Sequence, residues 1–261
     1  MKNQTQMLTY PSLFETLVLD KAENYSQKFL RYVILTLAGS SLIALCAQVS
    51  IPFYPVPVTM QTFAVILIGL TYGWRLGGIT VALYLVEGAI GLPVFAGGKG
   101  GMIVLMGPTA GYLYGFFLAA VACGWFAERG FDRSYLKLIV PLLAGNVLLY
   151  MSGLIWLGNF IGWDKPVLDL GLYPFIPGDL LKIALAAVLL PTVWNYVERM
   201  KQEQNTRCNH AVSICAHHDR VPEVMHKAAA KLGKYISRNV PLTEGPIEML
   251  RYLREQILST D

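Results

Sequence analysis

Long apolar stretches without charged residues dominate the first three quarters of the chain. No Asp, Glu, Lys or Arg occurs over residues 32–74, 100–127 or 138–163. The apolar residues run continuously instead of alternating, and each stretch is much longer than a strand of a membrane barrel. A helix of about 20 residues crosses a hydrocarbon core of about 30 Å. The pattern therefore predicts membrane-spanning helices.

Clusters of proline and glycine divide the apolar region into six predicted spans. We predict an all-α polytopic membrane protein with six transmembrane helices and a C-terminal cytoplasmic helical tail. The chain then divides into an N-terminal cytoplasmic segment (1–30), a six-helix membrane domain (31–199) and a polar cytoplasmic tail (200–261). The six spans are residues 33–51, 58–72, 76–94, 107–127, 136–161 and 178–196.

The composition agrees with a membrane protein and excludes two other classes. Apolar residues make up 54% of the chain, and the mean hydropathy is +0.47. These values are too high for an ordinary soluble protein of this length. A net charge of only +4 beside so much apolar surface also excludes a disordered chain. Eighteen of the charged side chains lie in residues 198–261, so the region before them is poor in charge.

The basic residues of the short connections predict the orientation in the membrane. With six spans both termini share one side, and most of the basic residues near the spans fall there. Because Lys and Arg accumulate on the cytoplasmic side, we predict a multi-pass protein of the cell membrane with both termini cytoplasmic. That side collects Lys2, Lys21, Lys28, Arg31, Arg75, Arg129, Arg133, Lys137, Arg199 and Lys201, whereas Lys99 and Lys165 lie opposite.

The tail has the composition of a soluble segment. Residues 222–237 predict a basic helix, and residues 246–258 predict an amphipathic one. A small solvated helical hairpin is the simpler interpretation, and contact of its basic residues with anionic lipid is the alternative. A zinc site is a further hypothesis, although the spacing matches no common zinc motif. Its ligands would come from Cys208, His210, Cys215, His217 and His218.

Three ionisable residues, Glu87, Asp179 and Lys182, fall inside the predicted spans. Charged residues within a membrane usually face a protein interior or a wet cavity. Asp179 and Lys182 are three residues apart and therefore share one helix face. Because Pro177 and Gly178 precede them, Asp179 is expected in the first helical turn, where the dipole favours an anion. The pair is either an ion pair near a helix end or a grip for a small polar ligand.

Glu87 allows three interpretations. It could line the same cavity, pair with Lys182 or close a contact between helices.

Two loops on the predicted outer side carry further polar candidates. Thr59, Gln61 and Thr62 follow a proline-rich stretch, and Lys99 lies in the glycine-rich loop 91–101. The loop lacks the spacing of a phosphate-binding loop, so any nucleotide hydrolysis must occur in another subunit.

The sequence resembles the BioY family, the membrane substrate-capture subunits (S components) of energy-coupling factor (ECF) importers for biotin. The resemblance covers about residues 31–199, with matching order and spacing. It rests on Ile51-Pro52, Pro55-Val56-Pro57-Val58-Thr59-Met60-Gln61-Thr62, Gly91-Leu92-Pro93-Val94-Phe95-Ala96-Gly97-Gly98, Gly100-Gly101, Gly107-Pro108-Thr109-Ala110-Gly111-Tyr112 and Phe175-Ile176-Pro177-Gly178-Asp179-Leu180-Leu181-Lys182.

The resemblance implies a biotin site. Asp179 would accept from the ureido NH groups of biotin, and Lys182 would donate to a ligand oxygen. Tyr112 would cover the sulfur ring. Lys99 is the implied partner of the valerate carboxylate. The chain departs from the family pattern at two positions, since the family often has a neutral amide where Lys99 stands, and some members have an arginine after the Gly-Tyr pair, where this chain has Leu113.

The resemblance also implies partners. These are biotin, a separate transmembrane scaffold subunit and two ATP-hydrolysing subunits, in a lipid bilayer and without nucleic acid or a cofactor. Docking on the scaffold would use small residues of the first helix, for which Ser40 and Ala44 have the required spacing. Ordinary packing within the bundle explains those two residues equally well.

Other functions are weighed against biotin capture. The same architecture could bind another vitamin, such as thiamine or riboflavin. An intramembrane enzyme would use Glu87 or Asp179 as acid or base, but all four histidines lie in the tail. A passive ion pathway lacks an evident relay of acids. We therefore predict a binding protein and not an enzyme.

Overall fold

The computed structural model describes residues 10–14, 16 and 25–216. The predicted tail helices at 222–237 and 246–258 lie outside these residues, as do His217 and His218 of the zinc hypothesis. The described region is helical, which confirms the predicted fold class. In chain order it contains α1 (Tyr25–Gln48), β1 (Ser50–Ile51), β2 (Val58–Thr59), α2 (Gln61–Ala89), α3 (Met102–Leu105), α4 (Ala110–Ala127), a one-turn 3-10 helix (Phe131–Arg133), α5 (Tyr135–Ile161), α6 (Val167–Gly171) and α7 (Ile176–Ala216).

Helix α2 folds back on itself at Gly73. This residue has φ 81° and ψ 173°, a conformation that only glycine adopts readily. A Cβ built on Gly77 would lie 3.2 Å from the Cα of Gly69, so the two segments of α2 on either side of the turn are in contact. The two arms, 61–72 and 74–89, correspond to the second and third predicted spans.

Five helices of the described region are long and apolar enough to cross a membrane: α1, α2, α4, α5 and residues 176–200 of α7. The folded α2 counts once among them, and each of its arms is shorter than the roughly 20 residues of a straight span. The predicted count of six spans therefore stays a prediction. Helix α7 continues past Arg199 to Ala216, so the first part of the predicted tail extends the last span.

Helix α4 lies between α2 and α5 at the centre of the fold. Small residues allow the close approach of these helices. A Cβ on Gly69 would lie 2.6 Å from the carbonyl oxygen of Ala120, and one on Gly115 would lie 2.9 Å from that of Leu149. Packing through small residues is a common way for membrane helices to associate. The backbones therefore pack at distances that a larger side chain would prevent.

The outer helices expose their apolar side chains. Only 22% of the apolar window of α1 is buried, compared with 78% for α2. Leu45 and Leu181, for example, are 68% and 73% exposed. A belt of exposed apolar side chains suits a bundle surrounded by lipid, in which backbone groups are satisfied inside helices.

Short elements cover the end of the bundle that holds the site. Strand β1 pairs with β2 in antiparallel register, with Ser50 opposite Thr59. The glycine-rich loop closes through a bridge between Phe95 and Lys99. These pieces, together with α3 and α6, place polar loop residues over the ends of α4, α5 and α7.

Candidate functional site

A cavity of about 600 Å³ lies beneath the loops, among α2, α4, α5 and α7. Its size falls within the range of about 300–1,000 Å³ that is usual for small-molecule sites. The walls combine the proline-rich stretch, the glycine-rich loop, aromatic side chains and a few polar groups. They include Pro55, Val56, Pro57, Thr59, Gln61, Thr62, Phe95, Lys99, Tyr112, Leu113, Phe116, Leu149, Tyr150, Phe175 and Lys182.

Lys182 supplies the buried charge of the cavity wall. Its ammonium donates to the carbonyl oxygen of Thr59 at 2.8 Å, to the hydroxyl of Thr62 at 2.9 Å and to Asp179 Oδ1 at 2.9 Å. Because a lysine ammonium has three donors, this set satisfies it fully. The bonds join α7 to β2 and to the first turn of α2, so the ammonium stays in one position.

Asp179 stands directly behind this lysine. The residue is only 6% exposed and lies in the first turn of α7, as the sequence predicts. Its Oδ1 accepts from Lys182, and its Oδ2 accepts from the hydroxyl of Tyr150. Asp179 borders a small gap that Thr62 and Asn146 also line. Its neighbours Lys182 and Tyr150 line the large cavity, and Asp179 does not. The carboxylate thus neutralises Lys182 from behind the cavity wall.

Thr59 and Gln61 contribute the neutral polar groups. Both are buried, at 9% and 3% exposure, and both line the cavity. The Thr59 hydroxyl donates to Gln61 Oε1 at 3.1 Å and accepts from the Gln61 backbone N–H at 3.3 Å. Residues 59 and 61 form a tight local unit at the junction of β2 and α2.

Aromatic rings form the apolar side of the cavity. Tyr112 stacks on Phe175 with centroids 6.2 Å apart and meets Tyr150 edge-on at the same distance. The Tyr112 hydroxyl donates to the carbonyl oxygen of Gly171 at 2.7 Å, which directs the phenol away from the cavity. The ring faces, together with Phe116, offer a flat apolar surface for a ligand ring.

Lys99 brings a second positive charge to the rim. It is exposed and lies in the glycine-rich loop, where its carbonyl oxygen accepts from the Phe95 N–H at 2.9 Å. Within the described residues its ammonium makes no ion pair. Since Asp179 cancels Lys182, the charge that Lys99 adds makes the site net positive.

Glu87 does not reach the cavity. It accepts from the hydroxyl of Ser40, which is 1% exposed and belongs to α1. Of the three interpretations left open, the structure supports the contact between helices. The same bond uses Ser40 inside the bundle, which favours internal packing over docking for the Ser40–Ala44 spacing.

Tyr150 and Phe175 belong to the site but were not singled out from the sequence. Tyr150 lies in a stretch without charges, and its role comes from an acid that is 29 residues away on another helix. Phe175 lies two residues before Pro177, within the segment 175–182 that contributes to the family resemblance. Its place in that segment was the one sequence signal that could have indicated it.

Comparison with known proteins relates this architecture to a defined group. Residues 18–199 match the model of the BioY family.

The chain belongs to the BioY family.

Named relatives agree with this assignment. The chain is 39% identical to "Biotin transporter BioY" of Thermotoga maritima over 58% of this chain and 88% of that protein. It is 34% identical to "Biotin transporter BioY" of Rhizobium etli over 61% of this chain and 90% of that protein. The resemblance seen in the sequence is therefore confirmed.

A solved structure shows the same fold. A crystal structure of the S component for biotin from an ECF-type ABC transporter matches with a TM-score of 0.57 and 28% identity. The match covers 67% of this chain and 95% of that one. This BioY chain is accordingly a multi-pass membrane protein. Because the relatives are named as transporters, the prediction that the chain is not an enzyme is confirmed.

Proposed function

We propose that this BioY chain binds biotin within its membrane domain and mediates biotin uptake. The observation that carries the proposal is the charge pattern of the cavity. A neutralised Lys182–Asp179 pair lies inside, and a free cation, Lys99, lies at the rim. Biotin has a matching set of groups: a neutral ureido ring, an apolar thiophane ring and one carboxylate.

The ureido ring is assigned to the buried polar groups. Lys182, Gln61 and Thr59 surround this part of the cavity and are oriented by bonds among themselves. Two donors occupy Asp179, and a carboxylate has about four acceptor sites. Asp179 therefore keeps acceptor capacity, and a ureido N–H would reach it where the side chains of Lys182 and Tyr150, which stand between it and the cavity, move apart. The pair adds no net charge to this part of the cavity, and a ligand oxygen would bind Lys182 by taking the place of one of its three present acceptors.

The rest of the ligand is assigned to the aromatic side and the rim. The thiophane ring would lie against Tyr112, Phe116 and Phe175, which present apolar faces. The valerate carboxylate would meet Lys99, with Leu113 on the wall of α4 as an apolar neighbour. Because the cation stands on a loop, the carboxylate is the part of the ligand closest to the entrance.

We propose that uptake depends on separate energising subunits. The crystal structure that matches this chain is of an S component from an ECF-type ABC transporter, and the sequence contains no phosphate-binding loop. A transmembrane scaffold subunit and ATP-binding subunits would supply the energy. Both termini would be cytoplasmic, which places the cavity toward the outside of the cell.

Equilibrium binding to the purified protein tests the ligand. We expect labelled biotin to be retained and to be displaced by unlabelled biotin but not by thiamine or riboflavin. Thiamine is a cation, so the net positive site should repel it. Retention of labelled thiamine or riboflavin, with no retention of biotin, would show that the architecture serves a different ligand.

Labelling with a membrane-impermeant maleimide tests the orientation. Tyr54 is 88% exposed in the proline-rich loop, and Lys137 lies near the predicted cytoplasmic end of α5. In a background without the native cysteines, Tyr54→Cys should react in intact cells, and Lys137→Cys should react only after lysis. The reverse pattern would overturn the proposed orientation.

A further inference from the structure

Tyr84 is a fully buried residue on the second arm of α2. Its ring is 0% exposed and meets Phe95 of the glycine-rich loop edge-on, with centroids 5.5 Å apart. The residue is absent from the cavity wall, so a bound ligand would not touch it. Its hydroxyl nevertheless contacts two segments that do form the wall.

The hydroxyl of Tyr84 has a defined direction. It donates to the carbonyl oxygen of Val94 at 3.1 Å and thereby anchors the start of the glycine-rich loop. A hydroxyl has a single proton, so toward its second neighbour it can only accept. That neighbour is the side-chain amide of Gln61. The amide must therefore present its NH₂ group, and not its oxygen, to Tyr84.

The other end of the Gln61 amide agrees with this direction. Its Oε1 accepts from the Thr59 hydroxyl, whose oxygen already accepts from the Gln61 backbone N–H. Rotation by 180° would turn the amide oxygen toward the Tyr84 hydroxyl, whose one proton is donated to Val94, so the bond to Tyr84 would be lost, whereas the Thr59 hydroxyl could still accept from the amide. Nε2 has two N–H groups, and Tyr84 uses one of them. The second N–H is the donor that Gln61 has left for the cavity.

We infer that Tyr84 is a positioning residue that orients Gln61 as a hydrogen-bond donor and so selects ligands with an acceptor at this point. The inference rests on the proposed function, because the acceptor it assigns is the ureido oxygen of biotin. Removing the Tyr84 hydroxyl frees the amide to rotate and to present its oxygen instead. The site then loses its preference for an acceptor over a donor.

The test compares two ligands and matched tyrosine variants. The ligands are biotin and its cyclic guanidinium analogue, in which an NH₂⁺ group replaces the ureido oxygen. The variant is Tyr84→Phe, which keeps the ring packing against Phe95. The control is Tyr72→Phe, because Tyr72 is also a buried tyrosine of α2 that donates to a backbone carbonyl, that of Leu35, at 3.1 Å. Tyr72 does not line the cavity.

Dissociation constants for both ligands give the result. We expect Tyr84→Phe to weaken biotin binding about tenfold and to reduce the preference for biotin over the analogue by a similar factor, the effect of one ordinary hydrogen bond. Tyr72→Phe should leave both values unchanged. An unaltered preference in Tyr84→Phe would overturn the inference.

A second variant, Gln61→Met, tests the role of the amide independently of Tyr84→Phe. Gln61→Met removes the amide and keeps the length of the side chain, so it should abolish the same preference. In the Gln61→Met background, Tyr84→Phe should cause no further loss of preference. A Gln61→Met protein that keeps the full preference would contradict the inference. Absence of biotin binding by the unaltered protein would instead refute the proposed function.

Discussion

Replacing Lys182 by methionine separates the two roles of the buried ion pair. Methionine keeps the length of the side chain but removes the ammonium that binds Thr59, Thr62 and Asp179. Asp179 then remains 6% exposed and, within the described region, keeps Tyr150 as its side-chain donor. The change thus leaves a buried carboxylate without its counter-charge.

The expected loss of stability follows from burial. The side chains of the pair are only 11% and 9% exposed, so solvent screens their interaction weakly. Removing one partner of a buried pair typically costs about 3–5 kcal/mol. For a chain of this size that corresponds to a fall of the unfolding midpoint on the order of 10 °C. Lys182→Met should therefore unfold at a clearly lower temperature.

A second substitution should restore stability without restoring binding. In Lys182→Met with Asp179→Asn, the uncompensated charge is gone, and the amide can still accept from Tyr150. We expect the unfolding midpoint to recover most of the loss. Biotin retention should stay at least about 100-fold below that of the unaltered protein, because both charged contacts of the ligand are missing.

Thermal unfolding in detergent and equilibrium binding of labelled biotin check these values on the same preparations. Recovery of both stability and binding in the double variant would refute the reasoning, since the pair would then be structural. Normal stability of Lys182→Met would contradict the other half, because a buried unpaired carboxylate should be costly.

Three further predictions concern pH, the rim and the turn of α2. Burial raises the pKa of Asp132 to about 6. The stability gained from protonation of Asp132 is therefore complete below about pH 4 and is lost as the pH rises to about 6. Asp132→Asn should be about 2–3 kcal/mol more stable than the unaltered protein at pH 7.5, and the difference should be smaller at pH 4.5. Lys99→Gln should weaken biotin binding about fivefold in low salt but leave binding of the neutral biotin methyl ester unchanged. Gly73→Ala should lose about 1–3 kcal/mol, because φ at residue 73 is +81°.

Each of these has a control in the chain. For Gly73→Ala it is Gly178→Ala, since a Cβ on Gly178 would meet nothing within 4 Å and should leave the unfolding midpoint unchanged. For Asp132 the informative quantity is the difference between variant and unaltered protein across pH, measured by thermal unfolding; a constant difference would contradict the assigned pKa. For Lys99 an equal loss for biotin and its ester would show that the cation does not contact the carboxylate.

Local patterns explain what could be predicted for the site. Asp179 and Lys182 were identified because three residues of a helix place two side chains on one face, and a proline and glycine before them mark the first turn. The break between the second and third spans was also predicted, since Gly73 falls between their ends at 72 and 76. In both cases the spacing along the chain determines the local geometry.

Contacts between helices could not be predicted in the same way. The pairing of Tyr150 with Asp179 joins α5 to α7, and that of Gln61 with Tyr84 joins the two arms of α2. Glu87 had three interpretations until α1 was seen to place Ser40 beside it. Such pairs depend on how far two helices approach and rotate, which no spacing along one helix determines.

The sequence by itself determined that this protein is a bundle of membrane helices and which charged residues are unusual within it, because the free energy of placing apolar and charged groups in lipid depends on residue type and local spacing. Only the tertiary structure decided which of these residues share a cavity and in which direction their hydrogen bonds run. Close packing of α2, α4, α5 and α7 encloses a polar group and leaves it few partners. The neighbouring helices therefore determine that Gln61 donates into the cavity, that Asp179 lies behind Lys182, and that Glu87 faces α1.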